Sequence, residues 1–159
     1  MKRTICLLLV FMMCNFSLSA FAAVTKKSDD LGIQYASEWK QGIFEEIIFE
    51  KLQLDEGVDE WDYLLKIKVA NSRQLSDKTA QLLFQEWYYE VYPFYTAPGN
   101  WRPYMLGQQT PKKTTPLILE ISNANSLKIT VTLTDGKSES VELPRSILEE
   151  WKSIIRAKQ

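Results

Sequence analysis

Histidine is absent from the 159 residues, and the only two cysteines, Cys6 and Cys14, fall near the N-terminus. Without histidine the chain lacks the side chain that most often serves as general base near neutral pH and as transition-metal ligand. Beyond residue 14 there is no thiol, which excludes thiol catalysis, zinc–sulfur sites and disulfide staples from the rest of the chain. No apolar run reaches the ~20 residues that cross a bilayer. Positive charge is not in excess either: 19 Lys and Arg stand against 20 Asp and Glu, a formal net charge of −1. That balance argues against nucleic acid or anionic lipid as the main partner.

What is present begins with a leader. Lys2 and Arg3 precede an apolar run from Ile5 to Met13, and Ala20-Phe21-Ala22 places small residues at −3 and −1 of a cleavage site. Residues 1–22 are therefore expected to be a secretory signal peptide, cut near Ala22, which sends the protein to the periplasm or outside the cell. Met12 and Met13 stand before Cys14 where a lipoprotein signal carries small residues. Cleavage leaves residues 23–159, with 17 basic side chains against the 20 acidic ones, a length suited to one domain.

Hydrophobic periodicity gives the element order. Ala23 to Asp30 is polar and reads as a frayed terminus. Ile43 to Leu54 fits both a helical stripe and a strand, with Ile47, Ile48 and Phe49 favouring strand. The acidic stretch Asp55 to Asp62 reads as a turn, and Tyr63 to Val69 alternates Leu65, Ile67 and Val69 with Lys66 and Lys68 as a half-wet strand does. Ser76 is placed as an N-cap for a helix to Tyr92, on whose stripe Ala80, Leu83, Phe84, Trp87 and Val91 recur. A proline-rich connection, Pro93 to Pro116, follows. Leu117, Leu119 and Ile121 alternate as a strand, as do Leu127, Ile129, Val131 and Leu133. The Asp135-Gly136 hairpin turn leads to a third strand through Val141 and Leu143. Ser146 and Glu149 form a capping box for a closing helix with Leu148, Trp151 and Ile155 inward. The class is α+β: an antiparallel sheet with helices packed on one face and a closing C-terminal helix.

Four features carry this order: Leu64 to Val69 running through Leu75-Ser76-Asp77, Trp101 followed by Met105, Leu127 to Leu133 with its Asp135-Gly136 turn, and Trp151 in the last helix. In them the chain resembles the exported bacterial chalcone-isomerase-like proteins. The resemblance implies an apolar cleft between sheet and helices. Plant members of the group isomerise chalcones, and other relatives bind fatty acids without catalysis.

Candidate sites follow from residue type. Ser37 and Lys40 have the Ser-x-x-Lys spacing of a nucleophile and its amine base on one helical turn. The run Asp55, Glu56, Asp59, Glu60 and Asp62 has the oxygen donors of a calcium site without the spacing of an EF-hand, and reads as a solvated hairpin tip with Trp61 and Tyr63 as anchors. Glu86 and Glu90 flank Tyr89 one helical turn apart. The strongest concentration is aromatic: eight of these side chains, Trp87, Tyr88, Tyr89, Tyr92, Phe94, Tyr95, Trp101 and Tyr104, fall within 18 residues. Large apolar rings with a polar handle suit pockets and interfaces. The candidate binding residues are thus Trp87, Tyr88, Tyr92, Tyr95, Trp101, Arg102 and Tyr104, with Arg102 offering a cation for an anion.

No cofactor, metal site or catalytic residue is expected. The leading expectation is a non-catalytic binding protein holding an apolar or amphipathic small molecule between the sheet and the helix from Ser76 to Tyr92. One alternative is a periplasmic protein-interaction module, such as an inhibitor, immunity or assembly factor. The other is a hydrolase or isomerase using carboxylate or tyrosine chemistry.

Overall fold

The computed structural model describes residues 24–29, 32–53, 58–94 and 99–157. The leader with Cys6 and Cys14, the centre of the acidic run at 55–57, and Tyr95 lie outside the described residues. Among the described residues ten strands and two helices follow in chain order: β1 (Thr25–Asp29), β2 (Gly32–Gln41), β3 (Phe44–Gln53), β4 (Trp61–Val69), β5 (Ala80–Leu83), β6 (Tyr88–Val91), β7 (Trp101–Thr110), β8 (Lys113–Thr114), α1 (Pro116–Asn123), β9 (Lys128–Thr132), β10 (Ser138–Glu142) and α2 (Arg145–Arg156). They form a six-stranded sheet in the order β1-β2-β3-β4-β7-β8 and a four-stranded sheet in the order β10-β9-β5-β6. All pairings are antiparallel. The α+β class with a closing helix is what the sequence predicts.

Strand β4 shows why the large sheet forms. Trp61, Tyr63, Leu65, Ile67 and Val69 are buried while the residues between them are half-exposed, the period of two that puts alternate side chains on opposite faces. The opposite face is held by ion pairs across strands, Lys66 with Glu50 at 2.7 Å and Lys68 with Glu46 at 3.3 Å. On the apolar face Phe49 of β3 meets Trp151 of α2, their rings stacked at 4.6 Å and 13°. Both helices cover this face, and the small sheet adds Leu82, Ile129 and Val131 to the same core.

Two segments change type relative to the sequence reading. Residues 76–92 are not a helix but the β5–β6 hairpin, in which Ala80 pairs with Val91 and Leu82 with Tyr89. Ser76 caps no helix; its hydroxyl oxygen accepts the Lys78 N–H at 3.3 Å in a local turn. The positions that mimic a helical stripe come from two strands and a turn. Conversely, Leu117 to Ile121 is helix α1, with Pro116 in its first turn, where a missing N–H costs nothing. Leu117, Ile118 and Ile121 are buried and Leu119 is exposed.

Smaller differences have local causes. The segment read as a frayed terminus contains β1, which pairs with β2 from Thr25 opposite Ala36 to Asp29 opposite Gly32. The proline-rich connection contains the ten-residue strand β7. Pro103 fits there because its carbonyl, and hence the side where its N–H is missing, faces Phe94 rather than β4. Ser146 does not cap α2: the helix starts at Arg145 after Pro144, with no side-chain cap bond, and Glu149 pairs instead with Lys152 at 2.8 Å. The Asp135-Gly136 turn forms as expected, Gly136 at φ 83° and Asp135 Oδ1 accepting the Lys137 N–H at 3.0 Å. That bond holds the Asp135 carboxyl below the usual range.

Trp151 is fully buried, and its indole N–H has no hydrogen-bond partner among the described residues. Trp151→Ala is expected to cost about 3–5 kcal/mol of stability, read as a large drop in the urea midpoint. Trp151→Phe keeps the stack and removes the unpaired N–H, so it is expected to cost less than half as much. Equal midpoints for the alanine variant and the parent would show that α2 does not dock through this ring. A second sensitive point is Gly107 of β7, at φ 143°, where an added Cβ would lie 2.6 Å from the Thr115 side chain. Gly107→Ala should therefore destabilise the join between β7 and α1 and lower the melting temperature.

Candidate functional site

The hairpin β5–β6 with its extension to Phe94 carries five of the eight clustered aromatics, Trp87, Tyr88, Tyr89, Tyr92 and Phe94. Its turn closes with the Phe84 N–H donating to Trp87 O at 2.9 Å. Inward, Ala80, Leu82 and Val91 join the core, and Phe84 meets Tyr89 edge-on at 5.9 Å. Outward, exposure alternates along β6 and past its end, so that Tyr88, Glu90, Tyr92 and Phe94 all face solvent. The extension is pinned to β7: the Phe94 N–H donates to Pro103 O at 2.8 Å and the Met105 N–H to Tyr92 O at 3.3 Å. Trp87, at the turn, donates its indole N–H to Glu120 Oε1 on α1 at 3.3 Å. Trp87, Tyr88, Tyr92 and Phe94 are 53%, 55%, 69% and 60% exposed.

The six described candidates among the seven therefore do not form one site. Tyr88 and Tyr92 share the exposed face of β6 and its extension, and Trp87 is exposed at the turn beside α1. Trp101 lies across from Lys68 on β4, half-buried. Arg102 is buried and its guanidinium donates to Leu75 O at 3.3 Å, so it is committed to the fold rather than offered to an anion. Tyr104 is buried opposite Leu65, and burial pushes its hydroxyl up to about 12. Phe94 joins the stripe; its two-residue spacing from Tyr92 is a strand signal that the helical reading of the segment hid.

A second region is one that residue type alone does not mark. Lys51 of β3 is 2% exposed, and its Nζ donates to the carbonyls of Ile155 at 3.2 Å and Ala157 at 2.7 Å at the end of α2. It also lies 4.4 Å over the Trp61 ring, a cation–π distance. Burial pulls its pKa from 10.5 down to about 8, with the Asp59 carboxylate opposing. It lines an open cleft of about 1130 Å³ together with Asp59, Gln109, Lys112, Asn123 and Arg156. The carbonyl bonds make Lys51 the tie that holds the last turn of α2 to the sheet.

The remaining candidates resolve simply. Ser37 is buried and donates to Glu150 Oε2 at 2.8 Å, whereas Lys40 is exposed. On a strand, residues three apart face opposite ways, so the pair cannot act together. Glu150 is pushed up by burial against the opposing Ser37 bond. Asp59 accepts the Trp61 indole N–H at 3.1 Å and Asp62 accepts from Gln108 at 2.8 Å. Among the described residues no group of three or more His, Cys, Asp or Glu is placed to hold a metal. Trp61 and Tyr63 are buried anchors, as expected of them. Glu86 and Glu90 face solvent.

Comparisons with protein-family models, with curated proteins and with solved structures find no match to this chain. The functional reading rests on the geometry above.

The buried titratable groups set an alkaline stability profile. Lys51 gives up its proton near pH 8 in the fold but near 10.5 when unfolded, so between these values the unfolded chain holds more protons and stability rises with pH. Tyr63 and Tyr104 are both raised by burial. Above about pH 10 the unfolded chain loses those phenolic protons first, and stability falls. Urea midpoints measured from pH 7 to 11 should therefore rise above about pH 8, peak near pH 10 and fall beyond it, and Lys51→Met should remove the rising limb. A monotonic profile in the parent would contradict this placement of Lys51.

Proposed function

We propose that the chain is an exported, non-catalytic protein-interaction module whose docking surface is the outward face of β6 and its extension. The observation that carries this reading is the run of four large aromatic side chains, Trp87, Tyr88, Tyr92 and Phe94, each more than half exposed. Water-facing apolar area gathered in one place marks an interaction surface, whereas singly scattered residues do not. Leu83, exposed opposite Tyr88 on β5, extends it. The rigid backbone beneath supplies pre-organised rings, which lowers the ordering cost of association.

Charge indicates what docks. Residues 79–101 contain Glu86 and Glu90 and no lysine or arginine, and Glu120 stands against Trp87. An acidic aromatic surface complements a protein segment that combines apolar and basic side chains. The basic N-terminal start, apolar run and Ala20-Phe21-Ala22 support export, so the partner is sought among periplasmic or extracellular proteins.

The resemblance to chalcone-isomerase-like proteins favours instead an apolar ligand held between sheet and helix. In this chain Phe49, Tyr63 and Trp151 fill the space between β3, β4 and α2, and the clefts lined by Lys51 and by Arg102 among the described residues open to solvent. The interaction reading is therefore preferred.

Affinity capture from periplasmic extract of the host tests it. Tyr92→Ala with Phe94→Ala is expected to weaken partner retention at least thirtyfold, the effect of losing about 2 kcal/mol at an interface centre. Val58→Ala, an exposed apolar residue in the β3–β4 connection, should leave retention unchanged. Equal retention by both variants would count against the stripe.

A further inference from the structure

Beside the aromatic stripe, between the β5–β6 turn and the C-terminal end of α1, lies a pocket of about 270 Å³. Phe84, Glu86 and Trp87 wall it on the hairpin side, and Glu120, Asn123 and Ser126 on the other. Its size suits one long side chain, since drug-sized ligands occupy about 300–1,000 Å³.

Three independent features give it one charge preference. Its lining contains two carboxylates, Glu86 and Glu120, and no basic residue. It opens at the C-terminal, negative end of α1, whose last turn carries no lysine or arginine. Its third wall is the tryptophan ring, the aromatic surface that attracts cations best. The indole N–H bond to Glu120 Oε1 at 3.3 Å keeps ring and carboxylate side by side.

We propose that this pocket receives a basic side chain of the docked partner, an arginine or lysine whose cationic head lies between the Glu86 and Glu120 carboxylates and the Trp87 ring. The inference rests on the interaction reading, because the pocket lies at the turn where β6 and its aromatic face begin. It adds the anchor: the partner segment places a cation at the turn end of β6 and apolar side chains along Tyr88, Tyr92 and Phe94. Because the carboxylates are reached by solvent, the anchor is salt-sensitive.

The test needs no identified partner. The capped peptides acetyl-Gly-Arg-Gly-amide and acetyl-Gly-citrulline-Gly-amide, which differ in charge but hardly in shape, are titrated against the purified protein while the Trp87 indole N–H resonance is followed. The arginine peptide is expected to shift that resonance with millimolar affinity, and citrulline to bind at least tenfold more weakly. The Glu86→Gln, Glu120→Gln double variant should bring arginine to the citrulline level without changing the melting temperature, since neither side chain belongs to the core. Equal binding of the two peptides, no shift of the Trp87 resonance, or an unaffected double variant overturns the pocket. The Tyr92→Ala, Phe94→Ala variant separates the two claims. If it still binds the arginine peptide but retains its partner as well as the parent does, the stripe fails and the pocket stands. If it loses the partner while arginine and citrulline bind alike, the stripe stands and the pocket fails.

Discussion

Two backbone hydrogen bonds, Phe94 N–H to Pro103 O and Met105 N–H to Tyr92 O, fix how the chain presents its aromatics. They join the end of the small sheet to β7 of the large one, and so extend the two-residue period of β6 past Val91. Once Val91 is inward, Tyr92 must be outward and Phe94 outward again. The fold cannot bury these rings by rotating a helix, because there is no helix to rotate. Their exposure is therefore a property of the backbone rather than of a mobile loop.

The layers beneath make that geometry rigid. Phe49 and Trp151 lock the closing helix on the large sheet, and Lys51 ties the last turn of the helix through two carbonyls. The buried lysine is destabilising while charged, since desolvation opposes its proton, yet it satisfies carbonyls that the helix end leaves without partners. The same logic appears at Ser37 and Glu150, where a buried hydroxyl meets a partly buried carboxylate. These polar ties lie on the face that carries the core, and the opposite face of the large sheet is held by cross-strand ion pairs.

How much of this was legible in the sequence depended on whether apolar residues alternated within a single element. In β4 and β9 they do, with lysines or threonines between them, and the strands stand where the pattern placed them. Closing helix α2 was also legible, because Leu148, Trp151 and Ile155 share one helical stripe that no strand could bury together. The hairpin at 80–91 was misread for a physical reason: two four-residue strands and a tight turn placed Ala80, Phe84 and Val91 inward at spacings that a 3.6-residue period also satisfies. In α1 the opposite happened, since Leu117, Leu119 and Ile121 alternate while Ile118 completes the helical face. Pro116 was the signal for a helix start. The site was half legible: composition picked out Trp87, Tyr88 and Tyr92, but Arg102 and Tyr104 were consumed by the core. Lys51 carried no sequence mark, because its burial arises from the tertiary meeting of β3 with the end of α2.

The central claim is that one set of rings belongs to the surface and another to the core. Hydroxyl-radical footprinting with residue-level mass spectrometry measures this directly on the folded protein. Fast oxidation is expected at Trp87, Tyr88, Tyr92 and Phe94, with Tyr63, Tyr104 and Trp151 protected until the chain is unfolded. Protection of Tyr92 and Phe94 to the level of Trp151 in the isolated protein would contradict it.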